Sequence, residues 1–299
     1  MSDTHTALIA VDWGSSALRG ARLNAAGVVL EEAAFPHGTL SVAPGAFAGV
    51  FDACFGAWQA HSNALCLISG MAGSRQGWSE APYCACPAGF NALVAHLHWL
   101  RPDRLAIVPG LLCTEQGNTP DVMRGEEVQV MGAMVLTGQA DGCFVLPGTH
   151  SKWVTVAQQR VTGFQTFMTG EFYAWLSQHS LLARSVDAAA PFDGPAFDRG
   201  VDAALAGSSL LHTAFGTRTL SLFDRMGAAA LASYLSGLVI GDELRARPAT
   251  GATHVCLIGA GALTERYERA LARCGLGSSR LGAEAAWAAH HAIAQHLSR

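Results

Sequence analysis

Ala7-Leu8-Ile9-Ala10-Val11-Asp12-Trp13-Gly14-Ser15-Ser16 is a short apolar run that ends in a carboxylate and breaks at once into a small, polar turn. Apolar residues at successive positions suit a strand buried on both faces, and Gly-Ser-Ser suits a tight turn. Outward from it, Ala17 to Asn24 and Gly27 to Ala33 read as two further strands, so the chain opens as a three-strand meander. The same grammar returns at Gly142. Gly142 to Leu146 is a strand and Pro147-Gly148-Thr149-His150-Ser151 a turn, and Lys152 to Ala157 and Val161 to Thr166 are two more strands. The repetition lies in architecture and not in residue identity. It implies a duplicated α/β domain with a ligand between the copies, with residues 1–139 and 140–299 as the two domains and a linker near Gly138 to Gly142.

The rest of each half carries helices and single strands. Ala46 to Ala60 puts Phe47, Phe51, Cys54, Phe55 and Trp58 on one helical face. Leu65 to Ser69 and Leu105 to Val108 read as buried strands. Asn118 to Asp121 carries helix-start signals ahead of a helix over Glu126 to Leu136. In the second half, helices are expected over Phe172 to Ser180, Ala228 to Arg245, Thr264 to Arg273 and Glu284 to His296. A strand is expected at His254 to Ile258, and Asp187 to Asp198 as a Pro/Gly-interrupted loop.

Composition narrows the function classes. The 299 residues are 50% hydrophobic and 14% charged, which builds a large core. A net charge of -4 supplies no basic footprint for nucleic acid and no polybasic patch for a membrane. No run approaches the roughly 18 apolar residues that span a bilayer, and the start of the chain lacks a signal-peptide layout, so the expected location is the cytoplasm. The eight cysteines are scattered and read as small buried hydrophobes. The histidines, His96, His98, His290 and His291 among them, show no metal spacing.

The turns carry the chemistry. Asp12, Gly14, Ser15 and Ser16 offer backbone N–H groups and hydroxyls beside a carboxylate, a pattern that suits an anion and Mg²⁺ and equally suits an ordinary polar hairpin. Gly148, Thr149, His150 and Lys152 repeat it, and Lys152 is the only lysine of the chain. An ammonium acts on a phosphate as a compact point charge, which a guanidinium does not. There is no Walker motif, since Ser151 and not Gly precedes Lys152, and the glycines of Gly259-Ala260-Gly261 lack the third of a dinucleotide fingerprint. That segment serves either a flat ligand or tight packing. Arg124, Glu126 and Glu127 stand at a helix start, where Glu is favoured by the helix dipole whether or not a substrate is near. Glu171 opens another helix.

Seven segments in one order resemble the 2-dehydro-3-deoxygalactonokinase family: IAVDWGSSALRG from Ile9, SGMAGSRQGWSEAPY from Ser69, IVPGL from Ile107, VMRGEEVQVMGA from Val122, LPGTHSKWV from Leu146, FMTGE from Phe167 and LSGLVIGDEL from Leu235. The resemblance implies two RNase H-like domains of the actin/hexokinase/Hsp70 type with an interdomain cleft. It also implies ATP-dependent phosphorylation of the terminal 6-hydroxyl of 2-dehydro-3-deoxy-D-galactonate. On it, Asp12 organises Mg²⁺, and Gly14, Ser15 and Ser16 form the first phosphate loop. Gly148, Thr149, His150 and Lys152 form the second, and Gly259 and Gly261 line adenosine. Arg124 and Glu126 lie near the acceptor with Glu127 and Glu171, and Glu126 is preferred as the base. The carboxylate that the wider fold carries in the second turn is absent here. The partners implied are ATP and the sugar acid, with a homodimer left open. The alternatives are a kinase for a related 2-keto-3-deoxy acid, a phosphohydrolase, or a nucleotide-binding regulator.

Overall fold

A computed structural model describes residues 5–60, 62–114, 118–248 and 251–297. It divides into two compact units. The first comprises Met1–Asp141, Val154–Phe164 and Leu281–Arg299, and the second Gly142–Trp153 and Gln165–Arg280. The first break falls beside the expected linker, but two later segments return to the first unit.

In the first unit, β1 (Leu8–Trp13), β2 (Leu18–Leu23) and β3 (Val29–Phe35) form the expected antiparallel meander, with Asp12 opposite Arg19. Helix α1 (Phe47–Ala60) follows, and then β4 (Leu65–Gly70), which runs parallel to β1. A short strand β5 (Tyr83–Ala85), helix α2 (Phe90–Ala95), β6 (His98–Arg101) and β7 (Leu105–Ile107) complete a six-stranded sheet of order β3-β2-β1-β4-β7-β6, with β5 outside it. The expected helical face of α1 is there: Phe47, Phe51 and Phe55 are buried against Val11, Trp13 and Ile68, while Cys54 and Trp58 are half-buried at its margin. Gly20 is required by that packing, because a Cβ there would lie 2.4 Å from the Phe55 ring.

Two segments depart from the sequence expectation. β8 (Gly110–Thr114) and β9 (Pro120–Met123) pair antiparallel, and β5 joins them in a small separate sheet. So Asn118 to Asp121 does not start a helix. Pro120 opens a strand, a position at which a missing N–H costs little, and α3 (Glu126–Thr137) begins only after Gly125.

The elements from Gly142 onward repeat the pattern of the first unit, although Val154–Phe164 clusters with that unit. β10 (Gly142–Leu146), β11 (Ser151–Ala157) and β12 (Arg160–Phe167) lead to α4 (Thr169–Gln178), α5 (Gly194–Leu205), α6 (Leu210–Leu222) and α7 (Ala228–Ala246). β13 (His254–Ile258), α8 (Gly261–Arg273) and β14 (Gly277–Leu281) close a sheet of order β12-β11-β10-β13-β14, with β10 and β13 parallel. The order third-second-first-fourth of the first sheet thus recurs, and it identifies the fold as two RNase H-like units of the actin/hexokinase/Hsp70 type. The loop expected to run to Asp198 ends at Asp193. Its carboxylate accepts the Ala196 N–H at 2.9 Å and caps α5, with Pro195 in the first turn. Residues that break helices in mid-course are here the ones that start one. α7 is buried along most of its length, and a Cβ on Gly237 would lie 2.0 Å from the Phe197 carbonyl oxygen of α5.

The chain ends on α9 (Glu284–Leu297), which belongs to the first unit and packs on α3. The two backbones touch: a Cβ on Gly132 would stand 1.6 Å from the Ala285 carbonyl oxygen. None of the eight cysteines, all among the described residues, is in a disulfide; Cys66, Cys84, Cys143 and Cys256 are buried and the other four half-buried. Among the described residues no helix is long and apolar enough to cross a membrane.

Candidate functional site

In α/β sheets, ligands gather outside the carboxyl ends of parallel strands, and both units place their polar turns there. In the first unit, β1 ends in Asp12 and Trp13, and β4 beside it ends in Gly70. The Asp12 side chain is buried and forms an ion pair with Arg19, its cross-strand neighbour. Arg19 went unassigned in the sequence reading, although the register of a two-residue-period hairpin puts positions 12 and 19 opposite each other. In the following turn the Gly14 N–H donates to the Ala17 carbonyl at 2.9 Å, and the Gly14 and Ser15 carbonyls accept from Thr39 and Leu40. Ser15 is half-buried and Ser16 exposed.

The start of α3 reaches the same sheet edge. Gly70 (φ 91°) and Gly125 (φ 102°) both hold left-handed backbone, and a Cβ on Gly125 would lie 3.1 Å from the Gly70 Cα. Glycine tolerates both the conformation and the approach. The close contact brings Arg124, Glu126 and Glu127 to the Asp12 end of the sheet. Glu126 accepts the Arg124 N–H at 3.0 Å and Glu127 the Gly125 N–H at 2.7 Å, so both carboxylates fold back over the helix start. Burial pushes the Glu127 carboxyl well above the usual carboxylate range, and the neighbouring Glu126 charge adds to this. Its second oxygen, Oε1, has no partner among the described residues.

Arg124 is the more unusual group. Only 7% exposed, it donates from one terminal nitrogen to the Ala81 carbonyl at 2.8 Å and stacks 4.3 Å over the Tyr83 ring. Its Nε and other terminal nitrogen are buried with no hydrogen-bond partner among the described residues. Unpaired buried donors cost about 1–3 kcal/mol each, more when charged. These two idle donors lie on different edges of the guanidinium, so they suit an anionic ligand such as a carboxylate without forming a single fork.

In the second unit, the turn Pro147 to His150 lies at the carboxyl end of β10, beside the end of β13 and the segment Gly259-Ala260-Gly261. Helix α4 caps it. Glu171 donates its N–H to the Thr149 carbonyl at 3.1 Å, and its carboxylate meets His150 Nε2 at 2.5 Å. A Cβ on Gly170 would lie 2.5 Å from the Gly148 carbonyl oxygen. Lys152 is the second residue of β11. The residue is 5% exposed, and Nζ donates to the Thr166 hydroxyl at 2.7 Å. Its neighbours Ser151 and Trp153 point to the opposite face of the strand, where both donate to Glu243 of α7. Gly259 and Gly261 have positive φ, and α8 begins at Gly261, three residues before the expected Thr264.

The sequence-derived residues therefore form two groups: Asp12, Gly14, Ser15, Ser16, Arg124, Glu126 and Glu127 in one unit, and Gly148, Thr149, His150, Lys152, Glu171, Gly259 and Gly261 in the other. Among the described residues there is no cluster of three or more His, Cys, Asp or Glu able to hold a metal. Asp12 offers one carboxylate, already paired with Arg19, and Mg²⁺ there would draw its remaining ligands from phosphate oxygens and water.

The sequence profile of the 2-keto-3-deoxy-galactonokinase family matches residues 12–293. The chain belongs to that family. A 2-dehydro-3-deoxygalactonokinase from Escherichia coli (strain K12) is 32% identical over 283 residues, covering 94% of each chain. A Rhizobium meliloti (strain 1021) relative, named a probable 2-dehydro-3-deoxygalactonokinase, is 37% identical over 285 residues, covering 93% of this chain and 92% of its own. The fold agrees at the level of solved structures. A Sinorhizobium meliloti crystal structure assigned to the same kinase superposes with a TM-score of 0.90 at 35% identity, covering 97% of this chain and 99% of that one.

Proposed function

We propose that this member of the 2-keto-3-deoxy-galactonokinase family transfers the γ-phosphoryl group of ATP to the terminal 6-hydroxyl of 2-dehydro-3-deoxygalactonate, a cytoplasmic step of sugar-acid catabolism. The observation that carries the reading is family membership over nearly the whole chain, with relatives of that name matched end to end. Phosphoryl transfer asks of a protein mainly position and charge neutralisation, and the residues supply both. Asp12 would hold Mg²⁺ that arrives with the nucleotide; once bound, the ion neutralises charge on the phosphates. Gly14, Ser15 and Ser16, and in the other unit Gly148, Thr149 and His150, present turn backbone and hydroxyls to phosphate oxygens. Lys152 adds a compact positive charge. Gly259 and Gly261 offer bare backbone to adenosine.

Arg124 takes the sugar-acid carboxylate, a role supported by its buried charge and its idle donors. Glu126 accepts the proton of the attacking hydroxyl, a role open to a half-buried carboxylate more readily than to Glu127, whose carboxyl burial pushes well above the usual carboxylate range. Glu127 and Glu171 flank the acceptor and the second turn.

The test is ADP release in a coupled assay with a panel of 2-keto-3-deoxy acids, with Lys152→Ala alongside. The expected result is turnover that depends on the galactonate-derived acid and is lost in the variant. ATP consumption without any sugar acid, or nucleotide binding with no turnover on any of the panel, would overturn the assignment.

A further inference from the structure

Of the segments that single the chain out, LSGLVIGDEL has no part in the roles above. Its glycines are explained by the close packing of α7 on α5. Of its two acidic residues, Asp242 pairs with Arg245, and Glu243 is not explained by packing. It is 3% exposed, in the interior of the second unit, and no cation pairs with it among the described residues. A lone buried carboxylate is costly unless its oxygens are well satisfied, and here they are. Oε1 accepts from the Ser151 hydroxyl at 2.8 Å and from Trp153 Nε1 at 2.7 Å. Oε2 accepts from the Tyr267 hydroxyl at 2.6 Å and from the Thr169 hydroxyl.

The four donors come from three different elements. Ser151 and Trp153 lie on β11, at the exit of the second turn. Thr169 is the first residue of α4, whose next two residues abut and hydrogen-bond that turn, and Tyr267 belongs to α8, which opens at Gly261. One carboxylate therefore ties together the strand that leaves the turn, the helix that caps it and the helix that starts at the neighbouring glycines. Only an acceptor-only group can receive four donors at once.

We infer that Glu243 is the positioning residue of the second turn: it locks β11, α4 and α8 into one body, so that Gly148, Thr149 and His150 keep a fixed attitude toward a nucleotide phosphate. The inference rests on the kinase reading above. It touches no reacting atom, and its effect passes through the turn. Loss of the anchor therefore weakens ATP binding while the sugar-acid site in the other unit is untouched.

Glu243→Gln tests this. The amide oxygen can keep Ser151 and Trp153, and the amide nitrogen can donate to the Thr169 and Tyr267 hydroxyls, so the fold has a route to satisfaction. Expected is a rise of about ten-fold in KM for ATP, as a sub-ångström displacement of a binding group produces, with KM for the sugar acid unchanged. A fall in kcat with both KM values at wild type would mark Glu243 as merely structural and overturn the inference, as would wild-type kinetics throughout. Should Glu243→Gln not fold, Thr169→Val, which releases only the α4 contact, reads the same split between the two KM values. Wild-type protein that turns over no sugar acid refutes the kinase reading itself, a result separate from either variant.

Discussion

Gly170→Ala is the sharpest probe of how the second turn is held. The position lies in the first turn of α4, and there the substitution favours the helix by about 1 kcal/mol on propensity alone. The cost falls on the seam with the turn. The new Cβ would stand 2.5 Å from the Gly148 carbonyl oxygen and 2.9 Å from the Thr149 Cα, both backbone atoms, whereas ordinary contact begins at 3.4 Å. Helix and turn must therefore part by about 0.9 Å, the difference between 3.4 and 2.5 Å. The same opening would stretch the 3.1 Å bond from the Glu171 N–H to the Thr149 carbonyl toward 4 Å, past hydrogen-bonding range. A misplacement near 1 Å at a group that positions a reacting substrate costs on the order of 10²-fold, so kcat/KM for ATP should fall by about that factor while thermal unfolding stays within a few degrees of wild type. Gly163→Ala is the control, since nothing lies within 4 Å of a Cβ there. Steady-state kinetics in both substrates, with circular dichroism on the same preparations, decides it. If Gly170→Ala keeps wild-type kcat/KM for ATP, the turn does not serve the nucleotide or the seam does not govern it.

Lys152→Arg should fold, at a cost of about 1–3 kcal/mol for the larger head in a buried slot, and lose most turnover; near wild-type rates would remove Lys152 from the phosphate site. Arg124→Met should raise KM for the sugar acid by about 10- to 100-fold, the worth of a charge-assisted hydrogen-bond pair, with KM for ATP unchanged; equal loss in both would speak for a structural arginine. Glu127 makes a prediction about pH. Its folded pKa lies above that of the unfolded chain, so the native state holds a proton that the unfolded state gives up, and stability is lost as pH rises from about 4.3 toward the folded value. Glu127→Gln should remove that decline. Melting temperatures of the two proteins from pH 4 to 8 should diverge in the variant's favour as pH rises, and parallel curves would count against an upward shift of the Glu127 carboxyl.

Much of this was legible from residue order, for physical reasons that can be named. A run such as ALIAVD has few options besides a doubly buried strand, and its turn and partner strands follow from local rules, which is why both meanders and the aromatic face of α1 were readable. Where local signals have two meanings the reading fails. Pro120 and Pro195 both look like punctuation, yet one opens a strand and the other sits in a helix's first turn. Strands of three to five residues, such as β5, β8 and β9, are too short to show a period. The site divides in the same way. Asp12 and the turn residues stand out because small polar residues after a buried strand are unusual. Arg19 could have been found by counting register across the hairpin. The setting of Arg124 and the four donors on Glu243 depend on contacts 24 to 92 residues apart along the chain. No local pattern records such distances.

The path of α9 has a consequence for how the protein comes into being. Residues 142–280, which hold the whole of the second unit and, of the first, only Val154–Phe164, are an insertion within the first, whose α3 is covered by a helix synthesised only after that insertion is complete. Domains emerging from a ribosome tend to mature in N-to-C order. Here the order is inverted: the earlier-made half waits, with the Gly132 side of α3 uncovered, for a segment translated more than a hundred residues later. A chaperone that shields nascent apolar surface would find its longest-lived target on α3. A chain cut before Glu284 would leave that surface permanently bare, and so prone to aggregate even though its second unit is whole.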